Sequence, residues 1–345
     1  MRISIAMATF NGSKFISEQL ESLAAQKFLP WELVICDDGS TDNTLELIDS
    51  FSKFAPFPVR VFRNESTLGF AENFLKAARL CSGDWISFCD QDDFWLPNKL
   101  EDVQAAIKKD KRPIIILQYA FLCDADLSHQ KKLFPDRLDA GYYPPRSQFG
   151  FWVWPGLLQT VHASIFDFRD DRTLPRSYFP GHDLMPHDKW TCMIGNATCG
   201  IRVLSGAAAL YRRHEEALTG SYAGQSVTRR ISKALPVGSV HYKFLSEVAD
   251  ETAEYLQTLA RLSTDKNAEN FSTASCSFFH LGRILYTRAR LYEADSIIKR
   301  VSTFLTMIRI RGYFGSSMTA LGGKSMLKDT LVLFGILGPS RRKKI

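Results

Sequence analysis

The 345-residue chain has no apolar run near the ~18 residues that a membrane-crossing helix requires. The longest candidate, Leu331 to Leu337, is far too short. There is no CxxC pair, and the seven cysteines are odd in number. That points away from a disulfide framework and toward reduced thiols in a cytosolic compartment, where the N-x-S/T triplets at Asn11, Asn64, Asn196 and Asn270 carry no meaning for glycans. No GxGxxG follows the first apolar segment, which weighs against a dinucleotide-dependent oxidoreductase. Gly323-Lys324-Ser325 resembles the end of a phosphate-binding loop, but Met318 occupies the earlier glycine position and no strand precedes it. His214-Glu215-Glu216 lacks the second histidine of a zinc-protease helix, and cysteine and histidine spacing supports no structural zinc site. The opening MRISIAMATFNG has one Arg and then alternating apolar residues broken by polar ones, so it is expected to be a buried strand and not a signal peptide.

What remains is a globular composition: 45% hydrophobic and 23% charged residues, with 21 Gly and 14 Pro, enough for a sizeable core and about two domains. The net charge of +6 is unevenly placed. Residues 1–224 carry 24 Lys/Arg against 28 Asp/Glu, residues 225–275 carry 6 against 6, and residues 276–345 carry 13 against 3. The basic end closes on Arg341-Arg342-Lys343-Lys344 and is interleaved with apolar residues such as Phe304, Leu305, Ile308 and Phe334. Such a segment is either a helical cap with a solvated basic face or a surface for anionic lipid. No nucleic-acid motif accompanies it, so no nucleic-acid partner is expected.

The first hundred residues alternate short apolar segments (Arg2–Thr9, Glu32–Asp38, Val59–Asn64, Asp84–Asp90) with helically spaced ones (Lys14–Ala25, Thr41–Phe54, Gly69–Leu80). Strand–helix alternation with short polar connections predicts right-handed crossovers and an α/β fold with a mostly parallel, Rossmann-like sheet flanked by helices. Ligands in such sheets gather at the carboxyl ends of the strands. Three polar loops fall there: Thr9-Phe10-Asn11, Asp37-Asp38-Gly39-Ser40 and Asp90-Gln91-Asp92-Asp93. From about residue 225 the pattern turns helical, with helices expected over 241–262, 274–291 and 294–310 and a boundary near 220–230.

Asp90, Asp92 and Asp93 place three carboxylates within four residues, a crowding that mutual repulsion makes costly. A divalent Mg²⁺ or Mn²⁺, bridging protein carboxylates and substrate phosphates, removes the conflict; a solvated acidic turn ahead of the next helix is the alternative. For Asp37-Asp38-Gly39-Ser40 the alternative is a tight turn with a helix cap.

Thr9-Phe10-Asn11-Gly12, the segment ELVICDDGSTD at 32–42 and the segment GDWISFCDQDDFWLPNKL at 83–100 together resemble the family 2 glycosyltransferases of GT-A fold, in particular the bacterial rhamnosyltransferase-like members that build surface polysaccharide. The resemblance is dense over 1–105 and sparser over 150–222. It implies a nucleotide-diphosphate sugar donor held by Thr9, Asn11, Asp37 and Asp38, with Gly69 and Asn73 completing the nucleotide pocket. It places the diphosphate and metal at Asp90 and Asp92 and the donor sugar's hydroxyls near Asp93. Pro186-His187-Asp188-Lys189-Trp190 resembles the family's base-bearing helix start, which makes Asp188 the general base and leaves His187 to tune it or touch the acceptor. Tyr211-Arg212-Arg213-His214 resembles the closing Y-R-x-H, which adds His214 to the metal ligands and the two arginines to the leaving group. Trp152 and Trp154 fall where acceptor contacts lie, with core packing as the alternative.

The implied enzyme is an inverting, metal-dependent glycosyltransferase with catalytic domain 1–224 (donor side 1–105, acceptor side 106–224) and a basic helical region 225–345. That region would hold it at the cytoplasmic face of a membrane, beside a saccharide or lipid-linked saccharide acceptor. The competing readings are a catalytically idle nucleotide- or saccharide-binding subunit and a sugar nucleotidyltransferase.

Overall fold

The computed structural model describes residues 1–112, 114–128, 130–133, 138–169, 171, 173–178, 184–214, 238–264 and 266–336. The expected boundary near 220–230 and the terminal Arg341–Lys344 run lie outside them. In chain order the strands are β1 (Ile3–Thr9), β2 (Glu32–Asp37), β3 (Val59–Arg63), β4 (Trp85–Cys89), β5 (Phe94–Trp95), β6 (Ile115–Cys123), β7 (Lys131–Lys132), β8 (Gly141–Tyr143), β9 (Gln159–His162) and β10 (Ile201–Arg212). The helices are α1 (Ile16–Ala24), α2 (Thr44–Ser52), α3 (Phe70–Leu80), α4 (Lys99–Lys109), α5 (His187–Ala197), α6 (Ser239–Leu262), α7 (Lys266–Glu293), α8 (Ile297–Arg309) and α9 (Gly322–Leu333).

All ten described strands join one sheet, whose main path runs β3-β2-β1-β4-β9-β6-β10-β5. The inner strands β1, β2 and β4 are buried along their whole length. Their near-continuous apolar runs are what a sheet covered on both faces demands. β1 pairs in parallel with β2 and β4, β2 with β3, and β6 with β10, while β9 lies antiparallel between β4 and β6. The major strands therefore point one way, and Thr9, Asp37, Cys89, Cys123 and Arg212 end on one edge.

The covering helices follow their apolar spacing. In α1 the positions Ile16, Leu20 and Leu23 recur at helical period and are buried. α2 begins three residues later than expected because the Ser40 hydroxyl donates to Asp37 instead of capping the helix, leaving Asn43 at its start. Gly69 opens α3 with φ of +82°, a left-handed conformation that costs a residue with a Cβ about 1 kcal/mol or more.

The C-terminal helices dock on α5. The Tyr255 hydroxyl accepts from Trp190 Nε1 at 3.0 Å and donates to the Phe168 carbonyl at 2.9 Å. Asn270 Nδ2 donates to the Thr198 carbonyl at 3.0 Å. α9 is pinned by the fully buried Asp329, whose carboxylate accepts from Arg288 Nε and Nη2 and from the hydroxyls of Tyr292 and Tyr313, all within 3.0 Å. Removing one partner of such a pair strands a charge in the interior, so Asp329→Ala is expected to cost about 3–5 kcal/mol. Urea unfolding checks this, and a loss below about 1 kcal/mol contradicts it.

Candidate active site

Three loops at the carboxyl edge are laced together by their own polar side chains. Asp37, at the end of β2, accepts from the Thr9 hydroxyl at 3.0 Å and from the amides of Gly39 and Ser40 at 3.1 and 2.9 Å. Asn11 has φ of +46°, a conformation asparagine tolerates better than most residues, and its side-chain oxygen accepts from the Thr41 amide at 2.8 Å. The amides of Asn11, Gly12 and Ser13 donate to Ser40 Oγ, Thr44 Oγ1 and Asp42 Oδ2. The backbone amides of Asn11, Gly12 and Ser13, the first turn after β1, are thus engaged within the protein.

Asp38 is buried and accepts from the amides of Leu68 and Gly69 at 2.7 and 2.8 Å and from Asn64 Nδ2 at 2.8 Å. Asn64 also donates to Asn73 Oδ1 at 2.9 Å and accepts from Lys76 Nζ at 2.7 Å, while Asn73 Nδ2 donates to the Cys36 carbonyl at 2.8 Å. Asp38, Gly69 and Asn73 are thus brought together, with Asn73 beneath the loop and its amide engaged within the protein. Gln91 clasps the first loop to the third: its amide accepts from the Phe10 N–H at 2.9 Å and donates to the Phe10 carbonyl at 3.0 Å. A Cβ on Gly12 would lie 2.3 Å from Gln91 Oε1, so only glycine allows that approach. Gln91 stands inside the acidic motif, and its clasping role had no separate signal in the sequence.

The acidic centre joins the β4–β5 loop, the end of β10 and the start of α5. Asp92 Oδ2 and His214 Nε2 are 2.8 Å apart, and His214 packs its ring on Phe15 at 4.7 Å between centroids. Burial pushes Asp90 up to about 8, with the Asp92 and Asp188 charges adding to the rise. Burial likewise raises Asp188 to about 6, opposed by Lys189. Asp93 is buried and held well above the usual carboxylate range by burial and by Asp92 and Asp90; one oxygen accepts the Arg212 amide at 3.0 Å and the other has no protein partner. Four carboxylates from two distant stretches of chain therefore sense one another, and the unfavourable charge is relieved by protons or by a cation.

Among the described residues no three His, Cys, Asp or Glu side chains form a complete ligand group. Asp92 and His214 meet, whereas Asp90, a neighbour that senses the Asp92 charge, does not join them in one ligating group. An oxygen and an imidazole side by side fit a divalent ion whose other ligands are diphosphate oxygens and water, the usual arrangement for Mg²⁺ or Mn²⁺ in phosphate chemistry. They do not make an all-protein cage.

Arg212 corrects one expectation. Arg212 is buried and saturated, donating to the carbonyls of Asp92 and Ala125 and pairing with Glu18. It braces the acidic loop from behind and is not free to meet a leaving group. Trp154 is also core, fully buried with Nε1 donating to the Gln118 carbonyl at 2.8 Å, and Trp152 packs on it at 5.8 Å. Lys99, the lysine of the acidic motif, is buried and lowered to about 8 by desolvation. Its Nζ donates to the Leu157 carbonyl at 2.9 Å, so it fixes the turn leading into β9. His187 is buried among Phe70, Phe74 and Phe88, neither ring nitrogen has a protein partner, and burial holds it down to about 3. It stands neutral beside Asp188.

Residues 4–160 match the family model described as Glycosyl transferase family 2. Over 99 residues the chain is 37% identical to the Escherichia coli UDP-Glc:alpha-D-GlcNAc-diphosphoundecaprenol beta-1,3-glucosyltransferase WfgD, covering 29% of this chain and 38% of that one. Over 100 residues it is 38% identical to the dTDP-rhamnosyl transferase RfbG of Shigella flexneri, covering 28% and 35%. The matched segments thus span less than two fifths of either relative. Among solved structures, residues 1–349 of S. aureus TarS share the fold with a TM-score of 0.53 at 16% identity, over 90% of this chain and 80% of that one. The same TarS segment in complex with UDP-GlcNAc gives 0.51 at 18% identity, over 90% of each. The architecture is GT-A with a helical C-terminal part. Residues 4–160, with the DQDD loop at their carboxyl edge, are a glycosyl transferase family 2 domain.

Proposed function

We propose that the chain transfers a sugar, with inversion, from a nucleotide-diphosphate donor to a saccharide or lipid-linked saccharide acceptor in bacterial surface-polysaccharide synthesis. The observation that carries this reading is the convergence of Asp90, Asp92 and Asp188, close enough for the first to be raised to about 8 by burial and by the other two. In the proposed assignment Thr9, Asn11, Asp37, Asp38, Gly69 and Asn73 build the edge that receives the nucleotide, and Asp93 lies toward the donor sugar. Asp92 and His214 would hold a divalent ion, which would supply charge stabilisation to the departing diphosphate. Asp188, ionised above about pH 6, takes the proton of the acceptor hydroxyl as its oxygen attacks the anomeric carbon. The neutral His187 keeps a second charge away from that carboxylate.

Residues 1–105 form the donor side, 106–224 the acceptor side, and the basic region 225–345 contacts the cytoplasmic face of a membrane. WfgD and RfbG, by name, use UDP-glucose and dTDP-rhamnose, so dTDP-rhamnose and UDP-sugars are the first donors to try. A nucleotidyltransferase is disfavoured by the engaged amides of Asn11, Gly12 and Ser13, which leave no loop to cradle a triphosphate.

The test is a thermal-shift panel of nucleotide sugars with Mn²⁺, followed by release of nucleotide diphosphate from the best ligand. Stabilisation by one donor, turnover with Mn²⁺ or Mg²⁺ and arrest by chelator are expected. Binding without turnover, with acceptor mixtures supplied, would leave an idle binding subunit.

A further inference from the structure

α8 is apolar on two faces. Phe304 and Met307 face the helical bundle and are buried. Ile298, Val301, Leu305 and Ile308 form a second stripe, roughly 80° wide at 3.6 residues per turn. All four are exposed, Ile298 at 78% and Leu305 at 57%. Phe314, 68% exposed, follows just after the helix. α9 repeats the pattern, with Leu327 and Phe334 two turns apart and exposed at 65% and 67%. Its end lies against the first turns of α8, since a Cβ on Gly335 would sit 3.4 Å from Arg300 Nη1. Two neighbouring helices thus turn apolar stripes to water, a display that soluble surfaces seldom carry without a partner.

We propose that α8 lies flat on an anionic lipid surface, its outer stripe sunk among the headgroups beside Phe314, Leu327 and Phe334. This rests on the membrane contact in the proposed function and deepens it, moving the main contact from the terminal basic run to a helix face. Length and charge both favour it. α8 has 13 residues and spans about 20 Å at 1.5 Å per residue, short of the ~30 Å hydrocarbon core, so it rests on the membrane and does not cross it. Residues 276–336 carry nine Lys/Arg against three Asp/Glu. Arg309 and Lys324 are exposed within one turn of Leu305 and Leu327, where headgroup phosphates lie when the stripe is buried. A second copy, meeting through the same face, would set this cation excess against itself.

The experiment is co-sedimentation of the full chain with vesicles of mixed phosphatidylglycerol and phosphatidylcholine, and with pure phosphatidylcholine. The wild type is expected to bind the mixed vesicles. Ile298→Glu with Leu305→Glu, both on the solvent side of a folded helix, should lower the bound fraction about tenfold or more, while replacing Arg341–Lys344 by serine should cost less. Binding by the double variant equal to wild type overturns the proposal, as does equal wild-type binding to pure phosphatidylcholine. A wild-type dimer in light scattering that the double variant makes monomeric also overturns it, giving the face to a second copy. Nucleotide-diphosphate release from soluble donor with saccharide acceptor mixtures supplied to take up the sugar, without vesicles, reads the reaction separately: turnover without vesicle binding removes this surface alone, and vesicle binding without turnover removes the transferase reading alone.

Discussion

Asp188→Asn is expected to lower kcat by about 10²–10⁴-fold while leaving donor affinity near wild type, the range associated with losing a general base. The side chain keeps its shape, and the Lys189 amide, 2.8 Å from Asp188 Oδ1, still finds an oxygen. α5 should therefore start where it does now. The pH profile carries a second signature. Because burial raises Asp188 to about 6, the wild-type rate should climb toward that pH and level above it. Linkage runs the other way for stability. A folded-state pKa above the ordinary carboxylate value of about 3.9 means the contribution is full below about pH 4 and is lost as pH rises through about 6. The Asn variant loses both dependences. Steady-state kinetics with saturating donor, read from pH 5 to pH 8, decide the matter: turnover within about threefold of wild type removes Asp188 from the proton transfer.

How much of this centre was legible in the sequence depends on whether a residue acts locally or across the fold. β1, β2, β4, α1 and α3 follow from residues within one segment, because apolar periodicity and the Gly69 start are local signals. The acidic loop at the end of β4 is local too. The partner of each carboxylate is not: Asp92 meets His214 at a separation of 122 residues, and Arg212 reaches Glu18 across 194. No spacing rule reports such meetings; only the family resemblance pointed toward His214. The family motif set Arg212 beside the leaving group and left Trp154 between acceptor stacking and core packing, yet both are consumed by buried hydrogen bonds. The antiparallel β9, inserted between β4 and β6, also left no trace, since its four residues pair with strands far away in sequence. The outward stripe of α8 was visible as apolar residues in a basic tail, but which side packs inward depends on Phe304 and Met307 finding the bundle.

Asp92→Asn should lower kcat/KM by about 10³-fold in the presence of Mn²⁺ or Mg²⁺, because several kcal/mol of charge stabilisation on the diphosphate are lost and each 1.36 kcal/mol is a factor of ten. The Mn²⁺-dependent part of the thermal shift by nucleotide diphosphate should vanish with it. The same variant should not destabilise the ligand-free protein. Asp92 repels both Asp90 and Asp93, adding to the burial that already raises each of them, and a neutral amide in its place relieves that repulsion. It keeps an oxygen toward His214, whose Nε2 lies 2.8 Å from Asp92 Oδ2. An unchanged or higher melting temperature together with lost turnover is therefore the combined result expected, and it separates a functional role from a folding role. A variant that melts several degrees lower would show Asp92 to be a structural link to His214. A variant that keeps its metal-stimulated rate would remove the ion from this pair, leaving the crowded carboxylates to be neutralised by protons alone.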